Sequence, residues 1–221
     1  MTTVAIFGGT GYAGGAIRDE ALSRGHTVIC VSRSGAPADA PPKAGVEFRQ
    51  GSVHDPALAD QVAAEADVIV IAARFAPGGS GEGDTKLADA LPALLAATAR
   101  HGKRLGVVGG ASTLLVTEGG PRLLDTPDFP AAYKTEASAA ADALEDLRAD
   151  TSGADWFFVS PAAEFGAYAP GEALGEYRIG GDVLLTDESG NSRISGADYA
   201  LAFVDEIDNP KHHRTRFTVA Y

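Results

Sequence analysis

The chain has 221 residues, of which 45% are hydrophobic and 22% are charged, a composition typical of globular domains and unlike that of disordered or collagen-like chains. Its formal net charge of −12 repels phosphate backbones and anionic lipids, which disfavours nucleic-acid and membrane binding and leaves a small molecule as the expected partner. The single cysteine, Cys30, excludes an intrachain disulfide and indicates a cytoplasmic protein, and no apolar run reaches the length of a membrane-spanning helix.

The first half of the chain alternates short apolar runs with segments of helical periodicity. Residues 4–7 predict a buried strand, residues 11–24 a helix, and residues 27–31 a second strand. Gly25 is placed to end that helix in a left-handed conformation. The same signals predict strands at 46–50, 67–73 and 104–108 and helices at 55–65 and 86–101. Strand–helix–strand units of this kind favour a parallel sheet.

The second half differs because glycine-rich segments interrupt the alternation. The patterns predict a helix over 131–149, a strand over 156–160, a loop over 166–181, a hairpin with arms at 183–186 and 192–194, a helix that begins near Ser195 and Asp198, and a strand over 216–221. All elements together predict a single α/β domain over residues 1–221, a Rossmann-type, doubly wound, mostly parallel sheet with helices on both faces. A small region around residues 162–195 is expected on its substrate side.

The turn after the first strand carries a G-x-x-G-x-x-G pattern at Gly8, Gly11 and Gly14. It follows a strand and opens a helix, which is the context that a dinucleotide-binding turn requires. Free amides and the positive end of the helix dipole attract a pyrophosphate, although a plain tight turn is the alternative. The residues expected to contact the cofactor here are Gly8, Thr10, Gly11, Tyr12 and Gly14, together with Ala72 and Ala73 at the end of the fourth strand.

The end of the second strand indicates which dinucleotide is bound. A site that prefers NAD usually has a carboxylate about 20 residues after the glycines, and residues 30–34 contain none. Arg33 offers several donors to a 2′-phosphate, with Ser32 and Ser34 beside it, so we predict NADP(H) as the cofactor. The alternative is that Arg33 is an ordinary exposed arginine.

Segments along nearly the whole chain resemble one family. They are residues 4–11, 25–28, 108–112, 125–130, 159–162, 194–200 and 216–219, with Arg33, Tyr177, Arg178 and Asp182. The sequence is similar to the atypical short-chain dehydrogenase/reductases, and more specifically to the NADH-flavin reductases near the biliverdin-IXβ reductase (flavin reductase-like) branch. This resemblance implies a Rossmann-type domain that binds NAD(P)H and passes hydride to a flavin or a similar conjugated acceptor. It implies no particular physiological substrate.

The usual acid of short-chain dehydrogenases, a tyrosine followed four residues later by a lysine, is absent at all six tyrosines. The remaining candidates for catalysis are Ser112, just after the fifth strand, and the adjacent Tyr133 and Lys134 near the start of the long helix. Turn formation by Ser112 and core packing by Tyr133 are the alternatives. Because a flavin ring can take its proton from water, the missing acid favours a conjugated acceptor over a simple ketone.

Two loops are placed to shape the acceptor site. Residues 74–83 follow the fourth strand and are expected to form a lid, with Phe75 placed to stack on a ring and Arg74 to meet a phosphate. The second loop, residues 164–178, carries Phe165. A surface loop is the alternative in each case. The histidines show no ligand spacing, so no metal site is predicted.

The sequence therefore predicts an NADPH-dependent reductase with a flavin or a similar molecule as substrate. Two other functions stay open, a non-catalytic NADP-binding regulatory or sensor protein and a sugar-nucleotide-type epimerase or dehydratase. A monomer and a homodimer both fit the sequence.

Overall fold

The computed structural model describes residues 1–37, 44–76 and 85–221. Across these residues eight strands form one sheet in the order β3-β2-β1-β4-β5-β6-β8-β7. The strands are β1 (Thr3–Phe7), β2 (Thr27–Ser32), β3 (Val46–Gln50), β4 (Val68–Ile71), β5 (Arg104–Val108), β6 (Asp155–Ser160), β7 (Arg178–Gly180) and β8 (Thr215–Ala220). The helices are α1 (Tyr12–Ser23), α2 (Pro56–Glu65), α3 (Leu87–Arg100), α4 (Lys134–Ala149) and α5 (Gly196–Asp208). Neighbouring strands are parallel except β7 and β8, which confirms the predicted Rossmann-type architecture.

Different helices cover the two faces of the sheet. Successive side chains of a strand point to opposite faces, so each central strand contributes to two cores. Helices α2, α3 and α4 pack on the face that carries Ala5, Ile69 and Phe158. Helices α1 and α5 pack on the face that carries Ile6 and Val159. This double burial explains why β1, β2 and β4 are continuously apolar rather than alternating.

The position of the site follows from the strand order. β1 pairs with β2 on one side and with β4 on the other, so the chain changes direction across the sheet between these strands. In open parallel sheets such a switch point leaves a crevice outside the carboxyl ends of the strands, where ligands bind. The glycine turn after β1 and the segment after β4 meet at this crevice.

The predicted hairpin over residues 183–194 is wrong. The turn itself forms, since the Asp187 N–H donates to the carbonyl oxygen of Asn191 at 2.8 Å. Its arms separate, because residue 183 bridges to Leu115 and the Arg193 carbonyl accepts the N–H of Tyr221 at 3.1 Å. Partners distant in sequence therefore compete successfully with the local pairing that the turn signal indicates.

The other differences between the predicted and observed bounds of strands and helices are smaller. The strand predicted over 67–73 ends at Ile71, and the helix predicted from residue 131 begins with a 3₁₀ turn, Ala131–Tyr133, before α4. The loop predicted over 166–181 contains β7, a three-residue edge strand held by β8. Within the described ranges, no helix has both the length and the apolar character needed to cross a membrane.

Candidate functional site

A cleft of about 580 Å³ opens at the switch point. Its walls are the glycine turn, the end of β2, the loop between β3 and α2, and the segment after β4. The sequence-predicted residues that line it are Gly8, Thr10, Gly11, Arg33, Ala72, Ala73 and Arg74. The structure thus brings together residues that lie as much as 66 positions apart in the chain, from Gly8 to Arg74.

Two of the glycines are required by close backbone contacts. Gly8 has φ +89°, and a Cβ there would lie 2.4 Å from the carbonyl oxygen of Ala72. A Cβ on Gly14 would lie 2.3 Å from the carbonyl oxygen of Gly8. The turn is therefore packed between the end of β4 and the first turn of α1, and only glycine fits at these two positions.

The start of α1 is arranged to accept an anion. Gly11 is the N-cap residue, no side chain caps the helix, and its first turn contains no acidic residue. The first amides of a helix lack partners within the helix and carry the positive end of its dipole. A pyrophosphate at this place would satisfy them. The residues present therefore fit a dinucleotide, despite the chain's net negative charge.

Arg33 lies at the mouth of the same cleft. It is exposed just after the end of β2, and its carbonyl oxygen accepts a hydrogen bond from Nε2 of Gln50 at 3.0 Å. Ser32, predicted beside it as a further donor, is buried and donates its hydroxyl to the Gly35 carbonyl at 2.8 Å. The serine therefore shapes the turn that presents Arg33 and Ser34 to the cleft.

Four residues of the cleft wall were not predicted from the sequence. Ser52, Val53 and His54 follow β3 and line the cleft, as does Thr85. The first three could have been found from the strand pairing, since β3 neighbours β2 and the carboxyl ends of parallel strands meet at one edge. Thr85 has no comparable signal in the sequence.

Phe75 corrects the prediction for the segment after β4. Its side chain is only 5% exposed and packs in the core, with its ring centroid 6.2 Å from that of Phe158. It presents no free ring face to an acceptor, because the ring is buried in the core. Arg74 does point outward, with 71% of its side chain exposed. Residues 77–83 of the predicted lid lie outside the described residues.

The candidate catalytic groups follow β5 and stand at the start of α4. Ser112 lies in a 3₁₀ turn, Ala111–Thr113, directly after β5. A Cβ on Gly110 would be 3.3 Å from the Ser112 hydroxyl and 3.7 Å from Ala140 of α4. Tyr133 ends the 3₁₀ turn before α4 and is the N-cap residue of that helix. This arrangement places both residues on the side of the sheet that α4 covers.

Tyr133 and Lys134 are both exposed. The Tyr133 side chain is 57% exposed, so the alternative of core packing is excluded. Thr113, next to Ser112, has a structural role instead, because its hydroxyl makes two hydrogen bonds within the fold. Its hydroxyl donates to the Gly110 carbonyl at 3.0 Å and accepts from the buried Arg216 at 3.2 Å. Ser112 is the one of this serine–threonine pair that stays partly exposed.

The loop after β6 is fixed to the start of α1. The Phe165 ring packs edge-on against Tyr12, with centroids 5.3 Å apart, and lies 4.5 Å from Tyr199. Burial raises the pKa of the Tyr12 phenol, which stays neutral and donates to the Pro170 carbonyl at 3.3 Å. Phe165 therefore forms a wall beside the glycine turn, and Tyr12 supports that wall with its ring.

The far end of the same loop is held by one carboxylate. Asp198 accepts the N–H groups of Leu174 at 2.7 Å and Gly175 at 2.9 Å, and it also accepts the hydroxyls of Ser195 and Tyr221. Burial alone would raise the pKa of Asp198, but these hydrogen bonds outweigh it and hold the pKa below its ordinary value. The sequence analysis identified Ser195 and Asp198 only as the start of a helix.

Known proteins resemble this chain along nearly its whole length. The model of a family described as NAD(P)H-binding matches residues 8–210. The chain is 37% identical over 217 residues to the uncharacterized protein YwnB of Bacillus subtilis (strain 168), a match that covers 98% of this chain and 97% of YwnB.

Three solved structures with similar folds carry three different descriptions. A "putative NADH-flavin reductase" from Streptococcus pneumoniae TIGR4 is 32% identical with a TM-score of 0.79, covering 100% of this chain and 99% of that one. A "putative epimerase" from Bacteroides thetaiotaomicron is 30% identical with a TM-score of 0.84, covering 100% and 97%. A "putative exported protein" from Burkholderia pseudomallei is 38% identical with a TM-score of 0.80, covering 100% of both chains.

Proposed function

Since this chain belongs to the NAD(P)H-binding family, within the atypical short-chain dehydrogenase/reductase type, we propose that it is an NADPH-dependent reductase of a flavin or a similar conjugated acceptor. The observation that carries the proposal is the cleft at the switch point, with a glycine turn and an uncapped helix start on one wall and Arg33 at its mouth. The similar protein described as an NADH-flavin reductase supports the choice of acceptor.

The preference for NADPH rests on charge. A 2′-phosphate carries negative charge that a carboxylate at the end of β2 would repel, and residues 30–34 have none. Arg33 is exposed there and lines the cleft, and a planar guanidinium can bind two phosphate oxygens at once. Ser34 lines the cleft beside it.

Replacement of Arg33 by alanine is expected to weaken NADPH binding by about ten- to a hundredfold, the scale of hydrogen bonds to a charged group. NADH binding should change by less than about twofold, because NADH has no 2′-phosphate for the guanidinium to contact. Calorimetric titration of both cofactors measures the two affinities. Arg49→Ala is the matched control, since Arg49 lies one strand away and pairs with Glu47 and Glu65. Equal losses for NADPH and NADH in Arg33→Ala would defeat the proposed preference.

The chain's own residues perform simple tasks in this reaction. NADPH, when bound, would supply a hydride from its nicotinamide ring. The helix amides and Arg33 hold the anionic part of the cofactor, and the Phe165 wall, supported by Tyr12, limits where an acceptor ring can lie. Ser112 and Tyr133, with Lys134 next to it, are the groups proposed to hold a proton near the acceptor. Arg74 is placed to meet an anionic group of the acceptor.

The expected activity is oxidation of NADPH in the presence of FMN, FAD or riboflavin. The loss of absorbance of the reduced cofactor measures its rate. Ser112→Ala and Tyr133→Phe should lower kcat by less than about tenfold with a flavin, because water can protonate the ring. A loss of about a hundredfold or more would instead indicate an acceptor, such as a ketone, that needs a protein acid.

A second function is favoured by one observation. The tyrosine–lysine pair of standard short-chain dehydrogenases is absent, which suits an NADP-binding sensor that performs no turnover. Tight NADPH binding without oxidation by any flavin would favour the sensor over the reductase. An epimerase remains the third candidate because of the similar protein described as one, although the missing tyrosine acid weighs against it.

For each candidate we propose the cytoplasm as the place of action, where the thiol of Cys30 stays reduced.

A further inference from the structure

One carboxylate connects α4 to the cleft. Glu136 lies in the first turn of α4, and its Oε1 accepts the N–H of Phe75 at 2.8 Å while its Oε2 accepts the N–H of Ala76 at 3.0 Å. The Nε of Arg74 is 3.6 Å from the same Oε2. An acidic side chain in the first turn of a helix commonly serves its own helix, where it favours the dipole. Glu136 instead binds amides 60 and 61 residues earlier in the chain.

The segment that Glu136 holds is part of the cleft wall. Ala72, Ala73, Arg74 and Ala76 line the cleft. This segment also packs directly against the glycine turn, since a Cβ added to Gly8 would lie 2.4 Å from the Ala72 carbonyl oxygen. A shift of the segment would therefore change both the width of the cleft and the support of the turn.

The remaining contacts of the segment hold its ends. The Ala72 N–H donates to Phe7 at 2.8 Å, and the Phe75 carbonyl accepts the N–H of Leu87 at 2.9 Å. The N–H of Phe75 lies between these fixed points and the N–H of Ala76 directly follows the second, and Glu136 accepts hydrogen bonds from both. Hydrogen bonds from amides to an ionised carboxylate are stronger than those between neutral groups. The Glu136 side chain is 33% exposed, so solvent screens this interaction only in part.

We propose that Glu136 is a positioning residue, which fixes the cleft wall of residues 72–76 relative to the start of α4, where Tyr133 and Lys134 stand. The proposal rests on the proposed function, because it assumes that NADPH occupies the cleft. The carboxylate acts on the cofactor and the acceptor through the backbone that it holds, and it touches neither. In this geometry each oxygen of the carboxylate accepts one of the two adjacent amides.

The test is Glu136→Gln, which keeps the size of the side chain. Glutamine has one acceptor oxygen, and its NH₂ group would face an amide donor, so one of the two hydrogen bonds is lost. We expect the dissociation constant of NADPH to rise about tenfold, as for one lost hydrogen bond to a charged group. Glu136→Asp, which keeps the charge but shortens the side chain, should give a smaller rise. Glu145→Gln is the matched control, because Glu145 lies on α4 and pairs only with Arg148 among the described residues.

The measurements are calorimetric titration with NADPH, the melting temperature, and kcat with FMN. A structural role alone would lower the melting temperature of Glu136→Gln and leave the NADPH affinity at the wild-type value, which would overturn the inference. Wild-type protein that fails to bind NADPH would overturn the proposed function together with this inference, whereas normal binding by both wild type and Glu136→Gln would overturn the inference alone.

Discussion

Gly14→Ala is expected to lower NADPH affinity by about a hundredfold, the scale of a misplacement of about 1 Å in a binding site. A Cβ at residue 14 would lie 2.3 Å from the Gly8 carbonyl oxygen and 3.0 Å from the Ala72 side chain. The first of these contacts is with backbone, so no change of rotamer relieves it. Helix α1 has to move away from the turn, and its first amides then point away from the pyrophosphate. Overpacking of this kind also costs about 1–3 kcal/mol of stability.

Gly15→Ala is the matched control for this prediction. A Cβ at residue 15 would have its nearest atoms at 3.9 Å, so alanine fits without displacing anything. Because residue 15 lies within α1, alanine should raise the free energy of unfolding by up to about 1 kcal/mol. Its NADPH affinity should equal that of wild type. Equal affinities in Gly14→Ala and Gly15→Ala would show that close packing of α1 on the turn does not form the anion site.

The second large effect concerns stability, and it arises at the opposite end of the sheet from the cleft. Arg104 of β5 is buried, and its guanidinium donates to Glu206 of α5 at 2.7 Å and to Asp155 of β6 at 3.0 Å. It also lies 4.5 Å from the centre of the Phe157 ring. Arg104→Met should lower the free energy of unfolding by about 3–5 kcal/mol, because it leaves the Glu206 charge buried without its cationic partner.

Urea denaturation measures this loss, with Arg122→Met as the control. Arg122 is partly exposed and pairs with the exposed Asp125 three residues later, so its removal should cost less than about 1 kcal/mol. A loss in Arg104→Met no larger than that in Arg122→Met would contradict the view that the buried pair joins β5, β6 and α5.

The same cluster predicts how stability depends on pH. Burial alone would raise the pKa of Glu206, but hydrogen bonds from the His212 amide and ring and from Arg104 outweigh it and hold the pKa below its ordinary value of 4.5. A depressed pKa in the folded state stabilises the protein above the unfolded-state value, and this contribution is lost as the pH falls through the folded-state pKa. Stability should therefore decline in acid below about pH 4.5, and Glu206→Gln should flatten that part of the curve.

The sequence predicted the elements whose signals are local. β1 and β4 are apolar because they are buried on both faces, and the Asp55 N-cap with Pro56 marks the start of α2, where the carboxylate accepts the amides of Ala57 and Leu58. Gly25 ends α1 with φ +80°, as predicted. In each case a few adjacent residues decide the conformation.

The parts that the sequence did not reveal depend on distant partners. The burial of Phe75 depends on its contact with Phe158, and Glu136 holds this segment through a hydrogen bond across 61 residues, and no periodicity encodes either contact. Strand β7 has only three residues and exists because β8 pairs with it. The glycine turn and Arg33 were predictable as candidates, since both stand at strand ends on the edge where parallel sheets bind ligands.

Calorimetric titration of wild-type protein with NADPH and then with NADH tests the central claim most directly. That claim is that the start of α1 and Arg33 together hold a dinucleotide with a 2′-phosphate. We predict binding of NADPH in the micromolar range and weaker binding of NADH. The absence of heat with both cofactors, across a range of temperatures, would contradict it.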